Sequence, residues 1–112
     1  MFIVGIRGIM KIKINNYLFE VEMVDGDIEK MNPDNDHINL GLTEFVESKI
    51  SIRKNMSEHL TRVTVIHELI HAFIFAFGYT VNDEEAMCQF FGARADEIMQ
   101  LANEIMNVVY EK

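Results

Sequence analysis

One cysteine, one proline and no tryptophan occur in 112 residues. A lone cysteine excludes an internal disulfide and suits a reducing compartment. Positive charge is scarce: 10 Lys and Arg stand against 18 Asp and Glu, a formal net charge of -8. That balance disfavours nucleic acid as the main partner, because no basic stripe exists to neutralise phosphates. Surface acidity for solubility is the ordinary reading of such a charge. No apolar run reaches the ~20 residues needed to span a membrane. Met1 to Met10 is apolar but interrupted by Arg7 and two glycines, which argues against a secretory signal. Repeats and low-complexity linkers are missing too. With 49% hydrophobic residues, the chain reads as one soluble, cytoplasmic domain over 1–112 with enough apolar material for a core.

Two kinds of periodicity divide it. Met10-Lys11-Ile12-Lys13-Ile14 alternates apolar with basic residues, Asn15-Asn16 offers a turn, and Tyr17 to Val24 alternates again. The pattern predicts a hairpin closed by turn chemistry at Asp25-Gly26-Asp27. Met10 reads as a natural start, and residues 1–9 as a weakly ordered extension. Residues 30–37 form a polar loop, after which 38–42 and 49–54 look like strands flanking 43–48. Ile50 and Ile52 fall on one face of the second, with Ser51 and Arg53 on the other. The expectation is a short antiparallel sheet of three to four strands, followed by two long helices: an α+β domain.

The first helix is predicted from Glu58 to Phe77, capped by Ser57 or Asn55 and stopped by Gly78 as the C′ residue. It is apolar on most sides, so burial nearly all round is expected. The second, capped by Asn82 or Asp83, runs to about Tyr110 with Met87, Phe91, Ile98, Leu101, Ile105 and Val108 as its apolar stripe.

Within the first helix lies His67-Glu68-Leu69-Ile70-His71. Histidines four residues apart project from one helical face, one turn of ~5.4 Å from each other. That spacing lets both imidazoles bind a single Zn²⁺ at ~2.0–2.1 Å. Glu68, beside the first histidine, can then reach a zinc-bound water and act as general base. The chain holds only 4 His, so chance is a weak rival. The competing reading is two core histidines satisfied by backbone carbonyls, an expensive arrangement in so apolar a helix without a cation.

A catalytic zinc needs three protein ligands and an open position. His59 lies two turns before His67 on the same helix, too far to share the ion, and His37 falls in a loop. Glu84 and Glu85 are better candidates, because they start the second helix, which must pack against the first. Each has a plainer explanation. Glu85 sits three residues after Asn82 and fits a capping box, and acidic residues in a first turn suit the helix dipole. A helical wheel places Glu84 nearer the apolar stripe.

The stretch Glu85-Ala86-Met87-Cys88-Gln89-Phe90-Phe91-Gly92 resembles the third-ligand helix of the gluzincin metallopeptidases. In those enzymes a glutamate ligand is followed by a small residue, an aspartate and a Phe-Gly pair. Gln89 departs from the pattern where the aspartate is expected, and offers an uncharged amide oxygen to a ligand imidazole instead. The layout is also similar to the compact ImmA/IrrE-type metallopeptidases of phages and mobile elements, with the likeness covering roughly residues 38–105. Residues 41–52 resemble the edge hairpin that precedes the motif helix in many such proteins. The resemblance implies a zincin-like domain with His67, His71 and Glu85 as zinc ligands and Glu68 as catalytic base. It further implies a protein or peptide substrate laid along an exposed sheet edge within 43–54, and a phage or host regulatory protein as target. The alternative is a non-catalytic, zinc-containing protein-binding module; a metal-independent helical interaction protein is a third reading.

Other residues carry bland expectations. Cys88 reads as a small buried core thiol, and Tyr79 as a cap over the helix end or a hydrogen-bond donor to an intermediate. Arg94, inside the second apolar stripe, is expected to snorkel or to pair with Glu68 or Asp96.

Overall fold

The computed structural model describes residues 2–4, 9–25 and 40–110, the first three by backbone alone. Strands β1 (Phe2–Val4), β2 (Ile9–Ile14), β3 (Tyr17–Val24), β4 (Gly41–Glu44) and β5 (Lys49–Arg53) precede helices α1 (Glu58–Phe77) and α2 (Glu84–Tyr110). The architecture is α+β, a sheet followed by two helices, as the periodicity predicts.

The sheet itself is larger and mixed. Its five strands lie in the order β1-β2-β3-β5-β4. β3 and β5 run parallel, with Val21 opposite Ile50, whereas the other pairings are antiparallel. Alternation fixes which residues share a face, and leaves open which strand lies alongside. It therefore does not predict the parallel pair. The stretch 1–9, expected as an extension, instead supplies β1, with Phe2 opposite Ile12, and the first residue of β2. The turn expected at 25–27 and the polar loop at 30–37 lie, beyond Asp25, outside the described residues.

In β2 and β3 the alternation resolves as a buried and an outer face, whereas in β5 Ser51, expected on the face opposite Ile50 and Ile52, is buried as they are. Met10, Ile12, Ile14, Phe19, Val21, Ile50 and Ile52 are buried, whereas Lys13 and Glu20 are exposed. The buried face meets Val65, Leu69, Ala72, Phe73 and Ala76 of α1 and Phe90, Ile98, Ala102 and Ile105 of α2. Each such large side chain contributes roughly 1.5–3 kcal/mol through burial. The Asn15-Asn16 turn forms as predicted, with Asn15 at φ 56°. Its amide donates to the Ala76 carbonyl at 3.0 Å, satisfying an acceptor in the last turn of α1.

α1 begins and ends where its sequence signals stand. The Ser57 hydroxyl accepts from the Leu60 amide at 3.1 Å. Gly78 takes the left-handed conformation at φ 70°, returning its amide to the last-turn carbonyls of Ile74 and Phe75. Among the described residues α1 is the one helix long and apolar enough to cross a membrane; here it is a core helix packed on the sheet and α2. Asp83 caps α2, accepting from the Ala86 amide at 2.8 Å.

The helices are antiparallel and held in step at both ends. Tyr110 donates to Thr61 Oγ1 at 3.0 Å, and the Arg94 guanidinium lies 3.8 Å over the Phe77 ring. Arg94 also donates to Glu97 at 2.8 Å and to the Tyr79 hydroxyl at 3.3 Å. Its carboxylate partner is thus Glu97, neither Glu68 nor Asp96. Tyr79 is the expected cap, its ring 4.8 Å from that of Phe90.

Candidate metal centre

Helical spacing does for His67 and His71 what the sequence predicts. Their Nε2 atoms stand 3.3 Å apart. That distance fits a hydrogen bond between the two rings, and it also matches the roughly 3.3–3.4 Å between two ligands bound at ~2.0–2.1 Å to one tetrahedral ion. Both histidines are exposed, His67 with 66% of its side chain accessible. That removes the core-histidine reading, because neither ring is buried against backbone carbonyls. It also corrects the expectation that α1 is buried nearly all round. A stripe through Leu60, Val63, His67, His71 and Phe75 faces outward.

Glu68 behaves differently. Successive helical positions diverge by about 100°, which turns Glu68 from the histidine stripe toward β4. It is 6% exposed. Thr43 Oγ1 donates to Glu68 Oε1 at 2.7 Å, while Oε2 stands 3.9 Å from His67 Nε2. One carboxylate oxygen is therefore held by the sheet and the other is turned toward the histidines.

β4 comes this close because residue 41 is glycine. A Cβ there would stand 2.8 Å from Glu68 Cγ, 2.8 Å from Thr64 Cγ2 and 3.0 Å from Glu68 Oε2. β4 is an outer strand of the sheet; β5, which the sequence reading included in the edge, is interior. The Arg53 amide donates to the Leu40 carbonyl at 2.9 Å, and Gly41 pairs with Ile52 and Thr43 with Ile50. In an antiparallel ladder this phase turns the amides and carbonyls of Gly41 and Thr43 away from β5, toward the free edge. Beside that edge is a groove of about 250 Å³ lined by Leu40, Gly41, Leu60, Val63, Thr64, His67 and Glu68. On the other side of the histidines, Phe75 stacks on Phe45 at 4.7 Å and meets Tyr17 at 5.0 Å.

The third ligand is not brought in. Among the described residues no group of three His, Cys, Asp or Glu side chains is placed to hold a metal ion. Glu84 and Glu85 are both exposed in the first turn of α2. The contact of Arg94 with Phe77 explains why. Glu85 lies nine residues before Arg94, about 13 Å along the helix axis, so that turn stands past the end of α1 rather than beside His71. Nor does Glu85 close a capping box, since Asp83 is the cap; its carboxylate faces Gln89 Nε2 at 3.5 Å. Cys88, expected in the core, is exposed. His59 is exposed as well, and His37 lies outside the described residues.

Thr43 and Gly41, which the sequence places only in an edge hairpin, are the residues whose contact with Glu68 it does not predict. Their signal was available: two positions apart on a strand, they share a face. Comparison with known proteins adds no relative, as no family model, curated protein or solved structure matches the chain.

Proposed function

We propose that this chain is a zinc-dependent metallopeptidase in which His67 and His71 hold the metal and Glu68 is the general base. The observation that carries the reading is the 3.3 Å separation of the two Nε2 atoms beside a buried glutamate whose free oxygen faces them. Zinc, when bound, supplies a Lewis acid that polarises the scissile carbonyl and makes water a nucleophile near neutral pH. Glu68 Oε2 takes the proton of the attacking water and later delivers it to the leaving amine, the two halves of one acid–base role. The Thr43 hydrogen bond occupies Oε1 and so leaves Oε2 for this work.

The substrate is an extended peptide segment. Outward backbone groups at Gly41 and Thr43 can pair with it as an added strand, and the Leu40–Leu60–Val63 groove can take one of its side chains. The resemblance to phage and mobile-element metallopeptidases extends this to a phage or host regulatory protein as target, and the lone cysteine suits a cytoplasmic setting. Glu85 could fill the third position only if the first turn of α2 closed beside His71. The ligands to which this reading commits are therefore the two histidines, which leave a catalytic zinc one protein ligand short of the usual three.

A non-catalytic zinc-containing binding module is the alternative, and the observation favouring it is the absence of a third converging ligand among the described residues. Buried Glu68 argues the other way, since a structural zinc has no use for a base. Metal analysis after mild purification, with cleavage of an unfolded protein by wild type and Glu68→Gln, separates the two. Zinc without Glu68-dependent cleavage supports the module, and a folded chain that takes up no zinc overturns both.

A further inference from the structure

We propose that Thr43 is the positioning residue of the base, selecting by its hydroxyl which oxygen of Glu68 faces the histidine pair. The proposal deepens the peptidase reading and rests on it for the word base; the geometry stands independently. Thr43 Oγ1 is 2.7 Å from Glu68 Oε1 and 3.3 Å from the Glu68 backbone carbonyl. A hydroxyl has a single proton to donate, and the shorter contact is the one to the carboxylate. Steric confinement acts with it. Gly41, on the same face of β4, leaves room for Glu68 Cγ and Oε2 that a single methyl group would fill. The carboxylate is thus fixed at Oε1 by a donor and bounded at Oε2 by bare backbone. Its remaining open side is toward His67, 3.9 Å away.

The residue doing this is also one whose backbone borders the substrate edge. Gly41 and Thr43 are the β4 positions whose amides and carbonyls turn away from β5 in the described register. A peptide paired at that edge therefore bonds to the strand whose side chain orients the base. Thr43 acts through Glu68 and touches no reacting atom itself.

The test uses the full chain carrying Thr43→Val, which keeps the branched shape and removes the hydroxyl, and Thr43→Ser, which restores it. Crystal structures of the three proteins, with and without added zinc, read the Glu68 side chain directly. Kinetics on an internally quenched peptide that wild type cleaves read its consequence. Thr43→Val should show Glu68 rotated away or split between conformers, with kcat reduced on the order of tenfold to a hundredfold and KM within about twofold. Thr43→Ser should restore both the conformer and kcat. Glu68 unmoved in Thr43→Val, an unchanged kcat, or a serine variant as impaired as the valine one overturns the proposal. If wild type shows no Glu68-dependent cleavage, the peptidase reading fails, and the Glu68 conformer in the valine and serine variants still decides whether Thr43 positions the carboxylate.

Discussion

Replacing Gly41 by alanine tests how closely β4 must approach the motif helix. The added Cβ would meet Glu68 Cγ and Thr64 Cγ2 at 2.8 Å each. Comfortable carbon–carbon contact is about 3.5–4.0 Å, so the shortfall is about 1 Å on two sides. Neither neighbour is free to yield cheaply. Thr64 is buried and its hydroxyl donates to the Leu60 carbonyl at 2.8 Å; Glu68 is buried and bonded to Thr43. Relief must come from β4 moving off the helix or from Glu68 leaving its place, and either breaks the Thr43–Glu68 hydrogen bond. Overpacking of this kind costs roughly 1–3 kcal/mol, and a lost hydrogen bond to a charged group about 1.5–3 kcal/mol. Reduced freedom of the unfolded chain returns ~0.4–1 kcal/mol. A net loss of about 2–4 kcal/mol corresponds to a fall in Tm on the order of 10–20 °C for a domain of this size.

Thermal unfolding followed by circular dichroism measures that fall. Cleavage assayed well below the lowered Tm separates misplacement of Glu68 from loss of folded protein. The expected result is a folded Gly41→Ala variant with kcat depressed at least tenfold. A variant with wild-type Tm and wild-type turnover would show that the strand is not held against Glu68, and the reasoning about this edge would be wrong.

Glu68→Gln, nearly the same size and uncharged, should keep the fold and the zinc but lose about 10²–10⁴-fold in cleavage rate, read by metal analysis and peptide turnover on one preparation. His67→Ala and His71→Ala should each abolish stoichiometric zinc, whereas Glu84→Ala should leave it unchanged, because Glu84 is exposed in the first turn of α2. Lys49 and Glu22 form a 3.0 Å ion pair between β5 and β3 that raises the Lys49 pKa above its ordinary 10.5, chiefly through their hydrogen bond. A raised folded-state pKa means that this stabilisation is fully present below 10.5 and is lost as pH climbs through the folded value. The Tm gap between wild type and Lys49→Met should therefore hold steady from neutral pH to about 9 and close above 10.5; with about a third of each side chain exposed to solvent, the pair should set only a small gap.

Local chemistry made most of the helical half legible. The bounds of α1 follow from Ser57 and Gly78, residues whose cap geometries are specific. The β2–β3 hairpin follows from two alternating runs around Asn15-Asn16. What alternation does not encode is the strand on the far side of a connection. β5 enters between β3 and β4 because its Ile50 and Ile52 bury best in the sheet interior, and this leaves the short β4 outside. That same event assembled the site, since Thr43 and Gly41 reach Glu68 only once β4 is the strand beside α1. The motif was visible as a sequence, while the residues that hold its base became visible only with the sheet order.

Glu85 shows the opposite failure, in which a local pattern was legible and its placement was not. A second helix after a short loop must pack on the first, but the position along it that meets the histidines depends on register. Thr61 with Tyr110 and Phe77 with Arg94 are each spaced sixteen residues apart on both helices, so the two run in step over that length. Sliding Glu85 back beside His71 would break both contacts, along with the Tyr79–Phe90 packing. The two arrangements make opposite predictions for two variants. If the helices stay in step, Glu85→Ala should bind zinc as wild type does, and Arg94→Ala should lose stability without changing metal affinity. If Glu85 is a ligand through a displaced α2, Glu85→Ala should lose the metal, and Arg94→Ala, by freeing the helix to slide, should bind it more tightly. Titration of the apo protein with zinc, followed by calorimetry, distinguishes them. Tighter binding in the Arg94 variant would refute the register argued from Phe77 and Thr61.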